Sequence, residues 1–259
     1  MAYQTLKVEI SPNYITVILD RLPAKNAINA QLLADLNSLL DEYEHVAHIS
    51  AIVLKGQAGI FCTGMDFQEV VAGASNSILK PSHNASYMDV IKRFSLYPKI
   101  IISALDGQVL AGGVGFVAAS DMVFATKTTN FTLSEALWGL LPACVMPFLI
   151  RRVGFQKAYR MTFSAKRVDA EEALQIGLVD EIVVDLTAAV NKLLPYISRI
   201  DSDTMRTLKQ YFRDMWIIHE DMEKLAVNTI SNLATSAKVQ KNISAYINNN
   251  KLPWENICE

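Results

Sequence analysis

The chain opens with two runs, TLKVEI and YITVILD, in which apolar and polar positions alternate, separated by SPN. A period of two predicts half-buried strands and SPN supplies a turn, so the pair reads as a β-hairpin. From Asn29 the period changes: Leu32, Leu33, Leu36, Leu39 and Leu40 recur at helical spacing, and Asn29 stands where a helix cap belongs. AIVLKG (51–56) is a short buried strand ended by Gly56, and FCTGMDFQEV (61–70) is a turn entering a helix. Residues 72–84 are small and polar and predict a mobile loop, followed by a helix over about 85–97 that ends near Pro98. KIIISAL (99–105) is another buried strand. A glycine-rich run, DGQVLAGGVGFVAASDM (106–122), opens a helix of small residues, and MVFAT and FTLSE look like strand pieces. From about Pro142 the pattern is helical, with a short strand at EIVV (181–184), and no strand pattern appears beyond Leu194. Short buried strands alternating with helices predict an α/β fold. Residues 1–193 read as the core domain, and 194–259 as a helical region that packs on it or on a neighbouring subunit.

Composition narrows the picture. The 259 residues are 51% hydrophobic and 19% charged, enough for a sizeable core. Twenty-four basic residues against 26 acidic ones leave a net charge of −2, with no block of either sign, which argues against a nucleic-acid-binding face. No uninterrupted apolar stretch is long enough to predict a membrane span, and MAYQTLKVEI lacks the pattern of a secretory signal. Cys62, Cys144 and Cys258 are odd in number and far apart. They suggest neither a disulfide framework nor a zinc site, so a reduced, cytoplasmic chain is expected.

The glycines carry the chemistry. Gly112, Gly113 and Gly115 fall within four positions of an apolar run, where each costs about 0.5–1 kcal/mol relative to alanine. A second glycine turn, Cys62-Thr63-Gly64-Met65-Asp66, also follows a strand and opens a helix. Amides at a helix start lack intrahelical partners, so two such turns side by side could aim two N–H groups at one oxygen. For either turn alone, ordinary small-residue packing or a plain strand-to-helix turn is the favoured explanation, because glycine turns are common. Asp66 is a candidate acid or orienting group, with a first-turn structural role favoured. Cys62 and Cys144 read as buried packing residues. His45 and His48, three apart on a helix, and His219 show no metal spacing. His83 falls in the predicted loop and is a candidate substrate contact.

Six segments together resemble the crotonase (enoyl-CoA hydratase/isomerase) superfamily: RLPAKNAIN (21–29), FCTGMDFQE (61–69), DGQVLAGGVGFVAASD (106–121), FTLSEALWGLLPA (131–143), RRVG (151–154) and AEEALQIGLVDEIV (170–183). The resemblance implies a spiral of ββα units with a helical C-terminal trimerisation region, hence a homotrimer or a dimer of trimers. It implies acyl-thioester substrates whose carbonyl is held by the amides of Met65 and Gly112, with Gly64 and Gly113 of the same turns as substrate-binding positions. Lys25, with Ala24 and Ala27, sits where crotonases grip the adenosine-phosphate part of coenzyme A, and could equally meet a phosphopantetheine. No metal or redox cofactor is implied.

One position departs from the pattern. Hydratases of this superfamily usually carry two glutamates, at the positions that are Gly115 and Glu135 here. Glu135 remains as the candidate catalytic carboxylate, its pKa raised by apolar neighbours Leu133, Leu137 and Trp138. A single carboxylate could take an α-proton and return a proton to a departing β-hydroxyl. FCTGMDFQE, SEALWGLLPACVMPFLIRRVG and LPWE resemble the dehydratases of polyketide β-branching, which act on 3-hydroxy-3-methylglutaryl groups carried by acyl carrier protein. Tyr87, Lys92 and Arg93 are then candidates to receive the free carboxylate of that substrate. Decarboxylation, hydration or isomerisation on the same fold, or a non-catalytic scaffold, are the alternatives.

Overall fold

The computed structural model describes residues 3–72, 81–216 and 219–255. The hairpin forms as the alternation requires: Leu6–Ile10 (β1) and Tyr14–Leu19 (β2) pair antiparallel, with Leu6 opposite Leu19 and Ile10 opposite Ile15. Ala30–Tyr43 (α1) follows, and the Asn29 side chain caps it by accepting from the Leu32 amide at 2.9 Å. Its leucine stripe is buried.

Three strand-strand-helix units come next. The first is Ala51–Lys55 (β3), Ile60–Cys62 (β4), then Phe67–Ala72 (α2) and Pro81–Leu96 (α3). The second is Ile100–Leu105 (β5), Gln108–Leu110 (β6) and Gly112–Ala119 (α4). The third is Met122–Ala125 (β7), Asn130–Thr132 (β8), a single helical turn Glu135–Trp138, and Met146–Val153 (α5). Phe155–Ser164 (α6), Val168–Asp169 (β9), Ala170–Ile176 (α7), Glu181–Ile182 (β10) and Leu186–Ile197 (α8) complete the α/β part. Ser202–Asp214 (α9), Glu220–Ala234 (α10) and Ala237–Asn249 (α11) form the C-terminal helical region.

Each unit gives its first strand to a six-stranded sheet, β1-β2-β3-β5-β7-β10, and its second to a four-stranded one, β4-β6-β8-β9. Apart from the pairs β1/β2 and β8/β9, neighbouring strands are parallel. The large-sheet strands are unbroken apolar runs because central parallel strands are covered on both faces; all six residues of β5 are buried. Ala226, Ile230 and Ala234 of α10 and Val239 and Ile243 of α11 join the same apolar cluster as the sheets. Among the described residues no helix is long and apolar enough to cross a membrane.

Two expectations need correction. Helix α3 starts at Pro81, not near residue 85, so His83 lies in a helix and not in a loop. Proline fits a first helical turn, where its missing N–H is no loss, and the polar His83 and Asn84 are buried rather than solvated. The rest of the predicted loop, 73–80, lies outside the described residues, as does Cys258. Helix α1 ends at Tyr43, so His45 and His48 sit in the turn beyond it, both exposed.

Asp35 ties the first helix to the hairpin. Its Oδ2 accepts from the amides of Gln4 at 2.9 Å and Thr5 at 2.8 Å and from the Thr5 hydroxyl at 2.7 Å, while Oδ1 accepts from Gln31 at 2.8 Å. Burial opposes ionisation there, but these hydrogen bonds outweigh it and hold the carboxyl below its ordinary range. A depressed carboxyl stabilises the fold above its unfolded pKa and loses that contribution as pH falls through the folded value. Asp35→Ala leaves two backbone donors unpaired and is expected to cost about 2–3 kcal/mol at pH 7, measured by denaturant unfolding, with the deficit shrinking as the pH drops below about 4. An unchanged midpoint at pH 7 would show that the contact is not structural.

Candidate active site

Strands β4 and β6 run parallel, so their C-terminal ends lie side by side, and each is followed by a turn that starts a helix. The turns touch. A Cβ placed on Gly64, which has φ +84, would lie 2.6 Å from the Ala111 Cβ and 3.2 Å from the Gly112 nitrogen. The first turn is pinned from outside: the Ile28 N–H donates to the Gly64 carbonyl at 2.7 Å, and the Asp66 N–H donates to the Ile28 carbonyl at 3.0 Å. The Met65 N–H falls between these bonds, without an acceptor among the described residues. In the second turn Ala111 holds φ 47, ψ −121, a conformation that non-glycine residues rarely adopt, and its N–H donates to Thr132 at 2.9 Å. Gly112 then begins α4, so its N–H has no intrahelical acceptor. Met65 and Gly112 both border a cavity of about 480 Å³. Two such donors suit an oxygen that gains negative charge.

The third unit supplies a carboxyl group. Strand β8 pairs with β6, and the helical turn after it carries Glu135 into the wall of the same cavity. The residue as a whole is half-buried, yet its Oε2 is sealed from solvent and has no hydrogen-bond partner. Burial pushes its pKa up to about 7. That is the range in which a carboxylate can both take and return a proton near neutral pH. An aromatic cluster closes this side: Trp138 meets Phe67 at 4.8 Å, Tyr246 of α11 at 5.2 Å and Trp254 at 5.9 Å, all edge-on.

Asp66 borders the cavity too, but both its oxygens are engaged. Oδ2 accepts from Arg21 at 2.8 Å and Oδ1 from the Gln68 amide at 3.1 Å, so the side chain ties the loop before α2 in place. Arg21 belongs to RLPAKNAIN, and its second branch bonds the Ala27 carbonyl. That it holds the Met65 turn was not readable without the fold, because its partner lies 45 residues away.

Gly115 has a specific neighbour. A Cβ there would stand 1.9 Å from the Tyr87 hydroxyl, which fills the space and donates to the Gly112 carbonyl at 2.6 Å. Tyr87 lines the cavity with its one proton already committed to the backbone of the second turn. Gly113 lies behind the wall, where a Cβ would come within 2.7 Å of the Cys62 carbonyl. Ala27 is buried in the wall, and Lys25 is exposed at the rim. Lys92 pairs with Glu223 at 2.8 Å and Arg93 with Asp41 at 2.6 Å, and neither borders the cavity. Burial lifts the Cys62 and Cys144 thiols to about 12, so both stay protonated at neutral pH and serve as packing groups.

The enoyl-CoA hydratase/isomerase family pattern matches residues 9–257. The chain belongs to that family. Within it, the chain is similar to the bacillaene synthase dehydratase PksH of Bacillus subtilis (strain 168), 32% identical over 98% of each chain. A crystal structure of pksH from Bacillus subtilis, described as a polyketide biosynthesis enoyl-CoA hydratase, superposes with a TM-score of 0.88 at 31% identity, covering 97% of this chain and 100% of that one. AtuE of Pseudomonas aeruginosa superposes with a TM-score of 0.75 at 25% identity, over 97% and 99% of the two chains. The fold is thus the crotonase spiral, and the protein is an enzyme of the hydratase/dehydratase class.

The Tyr87–Gly115 contact predicts coupled stability. Gly115→Ala is expected to destabilise by about 1–3 kcal/mol through overpacking. Tyr87→Phe alone is expected to cost about 1 kcal/mol for the lost hydrogen bond. The double variant should be more stable than the sum implies by at least ~1 kcal/mol in denaturant unfolding. Strict additivity would contradict the contact.

Proposed function

We propose that the enzyme removes water from a 3-hydroxy-3-methylglutaryl thioester carried by acyl carrier protein, giving a 3-methylglutaconyl thioester in polyketide β-branching. The observation that carries this reading is the Glu135 carboxyl, its Oε2 without a partner among the described residues, on the wall of the cavity that Met65 and Gly112 also border. In the first step Glu135 takes a proton from C2, and the electron pair of that C–H bond moves into an enolate whose oxygen the two N–H groups hold. In the second, the enolate electrons form the C2=C3 double bond as the C3–O bond breaks. The departing hydroxide takes the proton from Glu135 and leaves as water, restoring the carboxylate. Each oxyanion donor is expected to contribute about 2.7–4 kcal/mol to the barrier reduction. The reaction draws on side chains and backbone amides alone.

Three features support dehydration over reactions that use two acids. Tyr87 fills the volume beside Gly115, both Asp66 oxygens are engaged, one by Arg21 and one by the Gln68 amide, and similarity to a bacillaene synthase dehydratase extends over nearly the whole chain. Lys25, exposed at the rim, suits the phosphate of a phosphopantetheine arm. A homotrimer is part of the same reading. Helix α6 carries Phe155, Tyr159 and Phe163 as an exposed ladder of stacked rings, with centroids 6.2 and 4.3 Å apart, an apolar surface suited to a second copy.

Mass spectrometry of the purified enzyme with the hydroxymethylglutaryl carrier should show loss of one water, about 18 mass units. Loss of carbon dioxide from the enoyl form would instead identify a decarboxylase. Glu135→Gln is expected to slow turnover by about 10²–10⁴-fold. Because the wild type carries a buried charge above pH 7 that the variant lacks, the variant should melt no lower than wild type at pH 8. Undiminished turnover would remove Glu135 from the mechanism.

The pH profile has a fixed sign. The base must be ionised and its pKa is about 7. The value of kcat/KM should therefore level off above that pH and fall tenfold per unit below it. A profile flat from pH 5 to 8 would contradict the assignment.

A further inference from the structure

We infer that His83 receives the free carboxylate at the far end of the acyl group, and so selects acyl thioesters that end in a carboxylate over those that end in a methyl group. The inference rests on the dehydratase reading for its substrate class. His83 stands near the start of α3 and borders the cavity together with Asn84 and Tyr87. It is only 7% exposed, and its Nδ1 is sealed with no hydrogen-bond partner. Buried polar atoms in folded proteins nearly always have partners, and this orphan sits in a ring that borders the cavity, where a small turn of the imidazole brings it to a bound ligand group. Asn84 is anchored, donating to the Ser231 hydroxyl of α10 at 2.9 Å, which fixes the end of α3 against the C-terminal helices.

The charge inventory of the wall singles out the same residue. Among the described residues that border the cavity, only Lys25 and His83 can carry a positive charge. The proposed substrate has two anionic ends, the phosphate of the carrier arm and the carboxylate of the acyl group. Lys25 is exposed at the mouth, while His83 is buried. Lys92 and Arg93 are paired elsewhere, and Arg21 is held by Asp66. Burial pulls the imidazole of His83 down to about 4, so it is neutral at pH 7 when the site is empty. Asp66, Tyr87, Glu135, Cys144 and Tyr246 are the other ionisable groups on the wall, and Glu223 of α10 is committed to Lys92 and Arg213. A carboxylate seated on the ring accepts its N–H and favours the imidazolium.

Binding of unreactive pantetheine thioesters tests this without relying on turnover. Glutaryl- and butyryl-pantetheine differ by one carboxyl group. Wild type should bind the glutaryl compound more tightly, and His83→Ala should reduce that preference at least tenfold, with His83→Gln retaining part of it. The ratio is internal to each protein, so partial loss of folded material cancels. An unchanged ratio in both variants, or no preference in wild type, would overturn the inference. Dehydration of the hydroxymethylglutaryl carrier by wild type, run beside it, tests the parent reading separately. A shifted binding ratio without water loss would leave the carboxylate site standing and refute the reaction.

Discussion

The molecule is organised around the contact of two backbone turns that leaves no room for a side chain at Gly64. Gly64 and the Ala111–Gly112 turn approach so closely that one added methyl group would collide at 2.6 Å. Everything needed for that approach is built into the spiral. Parallel pairing of β4 with β6 sets the two turns at the same level. The Ile28 bridge and the Arg21–Asp66 pair clamp the first turn from one side, and the Tyr87 hydroxyl clamps the second from the other. The uncommon backbone conformation of Ala111 is stored strain of about 1–3 kcal/mol, and the surrounding hydrogen bonds offset it.

Two carboxylates in one cavity take opposite parts because their surroundings differ. Asp66 accepts a charge-assisted bond and a backbone bond, which fixes it as a strut. Glu135 has a buried Oε2 with no partner among the described residues and a raised pKa, because burial disfavours its charged form. Tyr87 explains why there is no third. It occupies the space that a side chain at 115 would need, so the glycine and the tyrosine form one feature of the site. With Asp66 tied to Arg21 and Gln68 and the Tyr87 hydroxyl given to Gly112, Glu135 is the carboxyl on this wall whose Oε2 has no partner among the described residues.

Much of this was legible in the chain. The leucine stripe of α1 and its Asn29 cap, the buried runs of β3 and β5, and the two glycine turns all follow from local pattern. The four-stranded sheet did not, since β4, β6 and β8 have three residues each and β9 two, too few to show a period. The start of α3 was hidden because Ser82, His83 and Asn84 look like loop residues. Burial of the last two comes from packing against helices far along the chain, as the bond from Asn84 to Ser231, 147 residues away, shows. The Tyr87–Gly115 pair was hidden for the same reason: a contact between α3 and α4 leaves no local trace.

The central claim is geometric, that the two N–H groups converge on one oxygen with a lone carboxylate beside the α-carbon. A crystal structure with a non-hydrolysable hydroxymethylglutaryl thioester analogue tests it most directly. The account predicts the carbonyl oxygen within about 3 Å of both the Met65 and Gly112 nitrogens. It also predicts a Glu135 oxygen within about 3–3.5 Å of C2. A carbonyl held by only one of those amides, or by neither, or Glu135 turned away from C2, would contradict it.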